Sequence, residues 1–146
     1  MNHLFIPKQE SLDLKELGFD EPCIAVYRGN DLDPVSQVDV QFKTETNKDY
    51  SDKSNYWLTA PLYSQVFDWF REKHGYIYTI CRVYNWNKEI PEYEGFCVYI
   101  GSKNPKVKLK CNDHFISNFY QDYREAELVV LQTLIEIVKN NNTTRS

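Results

Sequence analysis

The chain of 146 residues has the length of one ordinary domain, and its 42% hydrophobic and 26% charged residues are typical of a globular protein and not of a disordered one. The formal net charge of −4 argues against a protein that coats DNA, although a local basic strip is compatible with it. No segment approaches the roughly 20 apolar residues of a membrane-spanning helix, and the amino terminus carries no cationic leader. We therefore expect a cytoplasmic protein without a membrane association.

The first part of the chain predicts one helix and two strands. Leucines recur at helical spacing in residues 8–18, and the glycine at the end of this range is a suitable stop. Residues 23–29 form an apolar run that predicts a strand. Polar and apolar residues alternate over 36–45, which predicts a half-buried strand, and a polar loop follows over 46–56.

The second part of the chain predicts two helices and three strands. Residues 59–75 have one apolar and one polar side at helical spacing, and Thr59 is a suitable N-cap for this helix. A further helix with a wide apolar surface begins at Asp122 and extends to residue 139. The three predicted strands lie between these helices, over residues 76–84, 96–101 and 106–111.

This order of elements predicts the α+β class. The order is helix, two strands, helix, three strands, helix, and we expect one antiparallel sheet of about five strands packed by two or three helices. We predict a single domain over residues 1–139 and a disordered tail over residues 140–146. The wide apolar helix faces are compatible with a homodimer.

Cysteine spacing gives no metal motif. Cys23, Cys81, Cys97 and Cys111 form no C-x-x-C pair, and only Cys111 has a histidine nearby, His114. No second pair of cysteine or histidine residues completes a zinc site. We therefore expect neither a metal nor another cofactor, and we expect the thiols to be reduced.

No pattern in the chain is typical of catalysis. Glycine-rich phosphate-binding loops are absent from the sequence. His114 could pair with Cys111 or Asp113, but residues this close in sequence rarely form a catalytic geometry. Paired carboxylates fall in predicted loops, at residues 20–21, 31–33 and 92–94. A metal-dependent nuclease or phosphodiesterase would need such acids to converge from separate elements. We expect a protein that is not an enzyme, with that hydrolase as an alternative.

The strand over residues 76–84 has an unusual concentration of tyrosine. Alternation along this strand and its neighbours predicts one sheet face that carries Tyr76, Tyr78, Arg82, Tyr84 and Tyr99, with Lys106, Lys108 and Lys110 on the next strand. Aromatic rings stack on bases, and arginine and lysine neutralise phosphate, so this face suits a nucleotide or cyclic nucleotide ligand. The alternative is that a helix covers the rings and that the lysines protect an edge strand from aggregation.

The loop between the first two strands of this set also carries apolar residues. Trp86, Ile90 and Tyr93 would suit an anchor that inserts into the pocket of a partner protein. The alternative is that the loop folds back and Trp86 covers the core. Both interpretations agree with the sequence.

Three stretches together resemble small uncharacterised proteins that are encoded in phages, prophages and genomes of Bacteroidetes. They are "KELGFDEPC" (15–23), "TAPLYSQVFDWFREKHG" (59–75) and "YREAELVVLQTLIEIVKN" (123–140). The resemblance covers under half of the chain and names no reaction. It implies a mobile-element context, in which short accessory proteins act on host machinery.

From the residues and this resemblance we expect a phage-type accessory binding protein that sequesters a host nucleotide signal or inhibits a host defence factor. The first alternative is a protein–protein inhibitor or virion accessory protein with no small ligand. The second alternative is the metal-dependent nuclease or phosphodiesterase.

Overall fold

The structure is a computed structural model that describes residues 2–29, 37–50, 57–90, 92–103 and 114–145. The helices are α1 (Lys8–Glu16), α2 (Tyr63–Trp69) and α3 (Tyr123–Arg145). The strands are β1 (Cys23–Arg28), β2 (Gln37–Glu45), β3 (Trp57–Thr59), β4 (Tyr76–Asn85), β5 (Glu92–Ser102) and β6 (His114–Tyr120). The predicted α+β class is therefore confirmed.

The chain forms two compact units, one of Met1–Trp69 with Val138–Ser146 and one of Phe70–Ile137. Within the described residues, each unit contains one three-stranded antiparallel sheet, in the order β2-β1-β3 and β4-β5-β6. The sequence predicted one sheet of about five strands instead. Which strands pair depends on contacts between distant residues, and the alternation within each strand does not reveal it. The single domain over residues 1–139 stays a prediction.

The first unit has a core built on β1, its central strand. Ala25 and Tyr27 of this strand are buried in one cluster with Phe5, Leu58 and Ala60. The Tyr27 hydroxyl is satisfied inside this core, because it donates a hydrogen bond to the backbone oxygen of Ile6 at 2.5 Å. The predicted strand over residues 23–29 is thus confirmed as β1, and it is the central strand of its sheet.

Asn47 connects three segments of the first unit through its buried side chain. Its Nδ2 donates to the backbone oxygen of Phe19 at 2.8 Å. Its Oδ1 accepts from the backbone nitrogen of Thr59 at 3.3 Å and from the Thr59 hydroxyl at 3.0 Å. The prediction that Thr59 caps a helix is therefore wrong. Thr59 instead ends β3, where it pairs with Val26 of β1, and α2 begins four residues later at Tyr63.

The second unit is built on a long hairpin. Strands β4 and β5 pair over almost their whole lengths, from Tyr76 opposite Ser102 to Asn85 opposite Glu92. The register shifts between Val83 and Tyr84, because Glu94 is an extra residue on the β5 side of the ladder. Gly95, next to this bulge, has φ +137°, a conformation that residues with a Cβ rarely adopt.

A second restriction also requires glycine at position 95. A Cβ there would lie 2.7 Å from the backbone oxygen of Tyr120. β5 and β6 therefore approach each other closely at this point, where Phe96 pairs with Tyr120 and the register is again irregular. The glycine allows both the bulge and this approach.

The last helix differs from its prediction at its end. Asp122 precedes α3 as predicted, and its Oδ1 accepts a hydrogen bond from the backbone nitrogen of Arg124 at 3.0 Å. The helix extends to Arg145, beyond the predicted limit of residue 139. The Thr143 hydroxyl donates to the backbone oxygen of Lys139 at 3.0 Å and so continues the helical pattern of contacts into the polar end.

The third predicted strand of the second unit, residues 106–111, lies outside the described residues. Besides β4, the strand that pairs with β5 is β6, which the sequence did not predict. Among the helices that the structure describes, none is both long enough and apolar enough to cross a membrane.

Candidate functional site

The pairing of β4 with β5 separates the tyrosines that the sequence placed together. Directly opposed residues of an antiparallel pair point to the same face of the sheet. Tyr78 stands opposite Ile100, whereas Tyr99 stands opposite Thr79. Tyr99 therefore lies on the face opposite to Tyr76 and Tyr78, and the prediction that these rings share one face is wrong for Tyr99. Each strand alone shows its alternation but not which of its faces matches that of its neighbour.

The face of β4 that carries Tyr76, Tyr78, Ile80, Arg82 and Tyr84 is called the tyrosine face here. At one end of this face Tyr76 is only 5% exposed, and Val98 and Ile100, which lie on the same face of β5, are fully buried. Tyr78 and Tyr84 are half-buried, and Arg82 is exposed. The tyrosine face is therefore core at Tyr76 and opens to solvent toward the far end of the hairpin.

The structure does not test the predicted basic strip. Lys106, Lys108 and Lys110 lie outside the described residues. Of the residues predicted to bind a nucleotide, Tyr78, Arg82 and Tyr84 are the described ones at the open end of the tyrosine face.

The far end of the hairpin carries the most exposed large apolar side chains among the described residues. Residues 86–90 lie between β4 and β5 and are called the hairpin tip. Trp86 is 74% exposed and Ile90 is 81% exposed. Trp86 does not fold back onto the core, which was the alternative interpretation of the sequence. Tyr93, the third residue of the predicted anchor, is also exposed but lies on β5, opposite Tyr84.

A continuous row of aromatic rings leads from the hairpin tip to the beginning of α3. The ring centroids are 6.0 Å apart for Trp86 and Tyr84, 5.9 Å for Tyr84 and Tyr93, 5.8 Å for Tyr93 and Phe96, and 5.5 Å for Phe96 and Tyr123. The last three pairs meet edge to face, an arrangement that aromatic rings favour. The aromatic row thus supports Trp86 through its contact with Tyr84.

The bulge in β5 makes this row. In a regular strand, residues three positions apart point to opposite faces, so Tyr93 and Phe96 would not meet. The extra residue, Glu94, reverses the alternation and brings both rings to the tyrosine face. Gln121 holds the bulge from the neighbouring segment, since its Nε2 donates to the backbone oxygen of Glu94 at 2.9 Å. The sequence signal that could have indicated this bulge is Gly95 between two strand-like runs.

The polar residues around the hairpin tip are mainly acidic. Residues 85–94 contain one lysine and three glutamates, which gives this segment a formal charge of −2. Lys88 forms an ion pair with Glu92, four residues further along. Glu89 is exposed and Glu94 is half-buried. The tip therefore combines two exposed apolar side chains with an acidic flank.

The other face of the hairpin carries a pair of thiols. Cys81 stands directly opposite Cys97, and the two side chains are within hydrogen-bonding reach of each other. Burial raises the pKa of Cys81, and the neighbouring Cys97 thiol adds to this effect. Tyr99 lies on the same face, and its side chain also interacts with Cys97. The spacing of these cysteines along the sequence does not pair them, because only the strand register reveals that they meet.

Within the described residues, the acidic side chains of the predicted loops do not form a common cluster. Asp20 binds the Lys48 side chain in an ion pair, and this hydrogen bond lowers the pKa of Asp20. Asp31 and Asp33 lie outside the described residues. Within the ranges that the structure describes, no three histidine, cysteine, aspartate or glutamate side chains come together as metal ligands would.

The hairpin tip with its aromatic row is thus the candidate functional site, and the thiol pair is a separate feature on the other face. Comparison with known proteins adds no further assignment. No family model matches the chain, and neither a curated protein nor a solved structure shows significant similarity to it.

Proposed function

We propose that this chain is a non-enzymatic, phage-type accessory protein that binds a host protein through its hairpin tip. Trp86 and Ile90 are the anchors, and they insert into an apolar cleft of the partner. The observation that carries the proposal is the exposure of these two side chains at the end of a supported aromatic row.

The exposure of the tip is energetically meaningful. Burying one large apolar side chain contributes about 1.5–3 kcal/mol, so two such anchors can supply several kilocalories of binding free energy. Tryptophan is also enriched among the residues that dominate protein–protein interfaces. Trp86 and Ile90 are exposed within five residues of each other at the end of a hairpin. This arrangement is typical of interface anchors and not of core residues.

The aromatic row lowers the conformational cost of binding. A side chain that is free to rotate loses entropy when it is immobilised at an interface, at roughly 0.5–1.5 kcal/mol for each flexible side chain. The Tyr84 ring packs 6.0 Å from Trp86 and itself contacts Tyr93, which restricts the indole before a partner arrives. The bulge at Glu94 therefore serves binding through this support.

The charge of the hairpin tip indicates the charge of the partner's surface. The formal charge of −2 over residues 85–94 favours a cleft with lysine or arginine at its rim. The resemblance of three stretches to phage-encoded proteins directs the search to host proteins, including defence factors. Inhibition would follow if the tip occupied a functional cleft of such a protein.

The test uses the full chain as bait in a lysate of a Bacteroidetes host. The captured protein is identified, purified and titrated against the wild type and two variants. Trp86→Ala should weaken the affinity by about 30-fold or more, because truncation of an interface hot spot costs about 2 kcal/mol or more. Ile77→Ala is the matched control, since Ile77 is exposed on the other face of the same hairpin. It should leave the affinity unchanged.

Two outcomes would contradict the proposal. The first is a partner whose affinity for Trp86→Ala and for the double variant with Ile90→Ala equals that for the wild type. The second is an increase in melting temperature of several degrees with a nucleotide or cyclic dinucleotide, abolished by Arg82→Gln. That result would return the function to ligand sequestration on the open end of the tyrosine face.

A further inference from the structure

The thiol pair of the second unit suggests a chemical property that is independent of partner binding. We propose that Cys81 and Cys97 form a modification site at which a low-molecular-weight disulfide oxidises the two thiols to an intramolecular disulfide bond. The reacting partner is defined by chemical class, as a small molecule of the type R–S–S–R.

The strand register brings the two residues to the right separation. In an antiparallel ladder, directly opposed residues have Cα atoms about 4.5 Å or about 5.5 Å apart, depending on the type of pair. Both values fall within the range of about 4.4–6.8 Å over which disulfides form. Cys81 is directly opposite Cys97, and both are free thiols. No movement of the strands is needed to join them.

The two thiols differ in access, which assigns each a role. Cys81 is partly exposed, whereas Cys97 is only 3% exposed. A small disulfide in solution therefore reaches Cys81 first. Cys97 is buried but lies beside Cys81. It can therefore attack the Cys81 sulfur once that residue has reacted.

The reaction balances in two exchange steps. The Cys81 thiolate attacks one sulfur of R–S–S–R, the S–S bond breaks, and one thiolate RS⁻ leaves and takes up a proton. The Cys97 thiolate then attacks the Cys81 sulfur of this mixed disulfide, and the second RS⁻ leaves and is protonated. The two cysteines are oxidised by two electrons in total, and the small disulfide is reduced to two thiols.

The burial of the thiols determines the rate of this reaction. Because burial raises the pKa of Cys81, only a small fraction of this residue is thiolate at neutral pH. The rate should therefore increase as the pH rises. Cys23 offers a contrast within the chain, since burial raises its pKa to about 11 and leaves almost no thiolate.

The test treats the purified full chain with oxidised glutathione, then blocks the remaining thiols and maps the cysteine-containing peptides by mass spectrometry. The expected product is a peptide pair joined through Cys81 and Cys97. Cys97→Ser should stop the reaction at the first step and leave glutathione on Cys81. Cys81→Ser should leave Cys97 unmodified, and Cys23→Ser is the control that should still form the bond.

Other results would overturn the proposal. One is a wild-type protein that carries glutathione on Cys81 while Cys97 stays a free thiol, since this would show that the second step does not occur. Another is a wild-type protein that remains unreacted as pH is raised, although the urea-unfolded chain reacts. Both readouts use the wild type, so they do not depend on the folding of a variant.

Discussion

Replacing Asn47 with alanine should lower the free energy of unfolding by about 3 kcal/mol. The asparagine side chain makes hydrogen bonds to the Phe19 oxygen, the Thr59 nitrogen and the Thr59 hydroxyl, and it is buried. Each such bond contributes roughly 1 kcal/mol, and its loss leaves a buried polar group without its partner. The three losses together give the expected value.

Urea unfolding followed by far-UV circular dichroism measures this effect. With a slope of about 2 kcal/mol per molar urea, the midpoint should fall by about 1.5 M. Asn87→Ala is the matched control, because Asn87 is exposed in the hairpin tip, and its midpoint should not change. Thr59→Val removes one of the three bonds and should lower the stability less than Asn47→Ala. If Asn47→Ala lost no more stability than Asn87→Ala, the network would not connect these segments as described.

The second unit yields two further predictions. Gly95→Ala should lower the free energy of unfolding by about 3 kcal/mol, because of its positive φ and the Tyr120 oxygen 2.7 Å from a Cβ. Gly18→Ala, where φ is +87° but nothing lies within 4 Å, should lower it by only about 1 kcal/mol, and equal effects in urea would contradict the steric argument. Burial lowers the pKa of His74, so the unfolded chain takes up a proton at higher pH than the folded chain does, and stability should fall as the pH decreases below about 7. His74→Gln should flatten that slope, and an unchanged slope would assign it to other groups.

Local sequence patterns predicted the elements of this protein better than their arrangement. The apolar spacing of residues 59–75 and 122–139 predicts α2 and α3, because helical periodicity is read from neighbours within a few positions. The alternation of residues 36–45 likewise predicts β2. Strand β3 was missed, since its three residues are too few to show alternation and Thr59 also suits a helix cap.

The candidate site depended on information that no single segment contains. Trp86 and Ile90 are exposed because they lie in a polar, turn-rich loop. The sequence therefore indicated both residues as candidate anchors. The opposite orientation of Tyr99, the burial of Tyr76 and the meeting of Cys81 with Cys97 all follow from the register of β4 against β5. A shift of one residue in that register would reverse each of these assignments. Register is set by the bulge and by packing between distant residues, and the alternation within a strand predicts neither of them.

The aromatic row also gives the protein an optical property. Of its three tryptophans, Trp69 is buried, Trp57 is half-buried and Trp86 is the exposed one. An indole in water emits at longer wavelength than an indole in an apolar environment, so the red edge of the emission spectrum should belong to Trp86. Tyr84, whose ring lies 6.0 Å from that of Trp86, can pass its excitation energy to the indole. Covering the hairpin tip should move this emission to shorter wavelength, and the chain therefore reports the occupancy of its own tip without an added label.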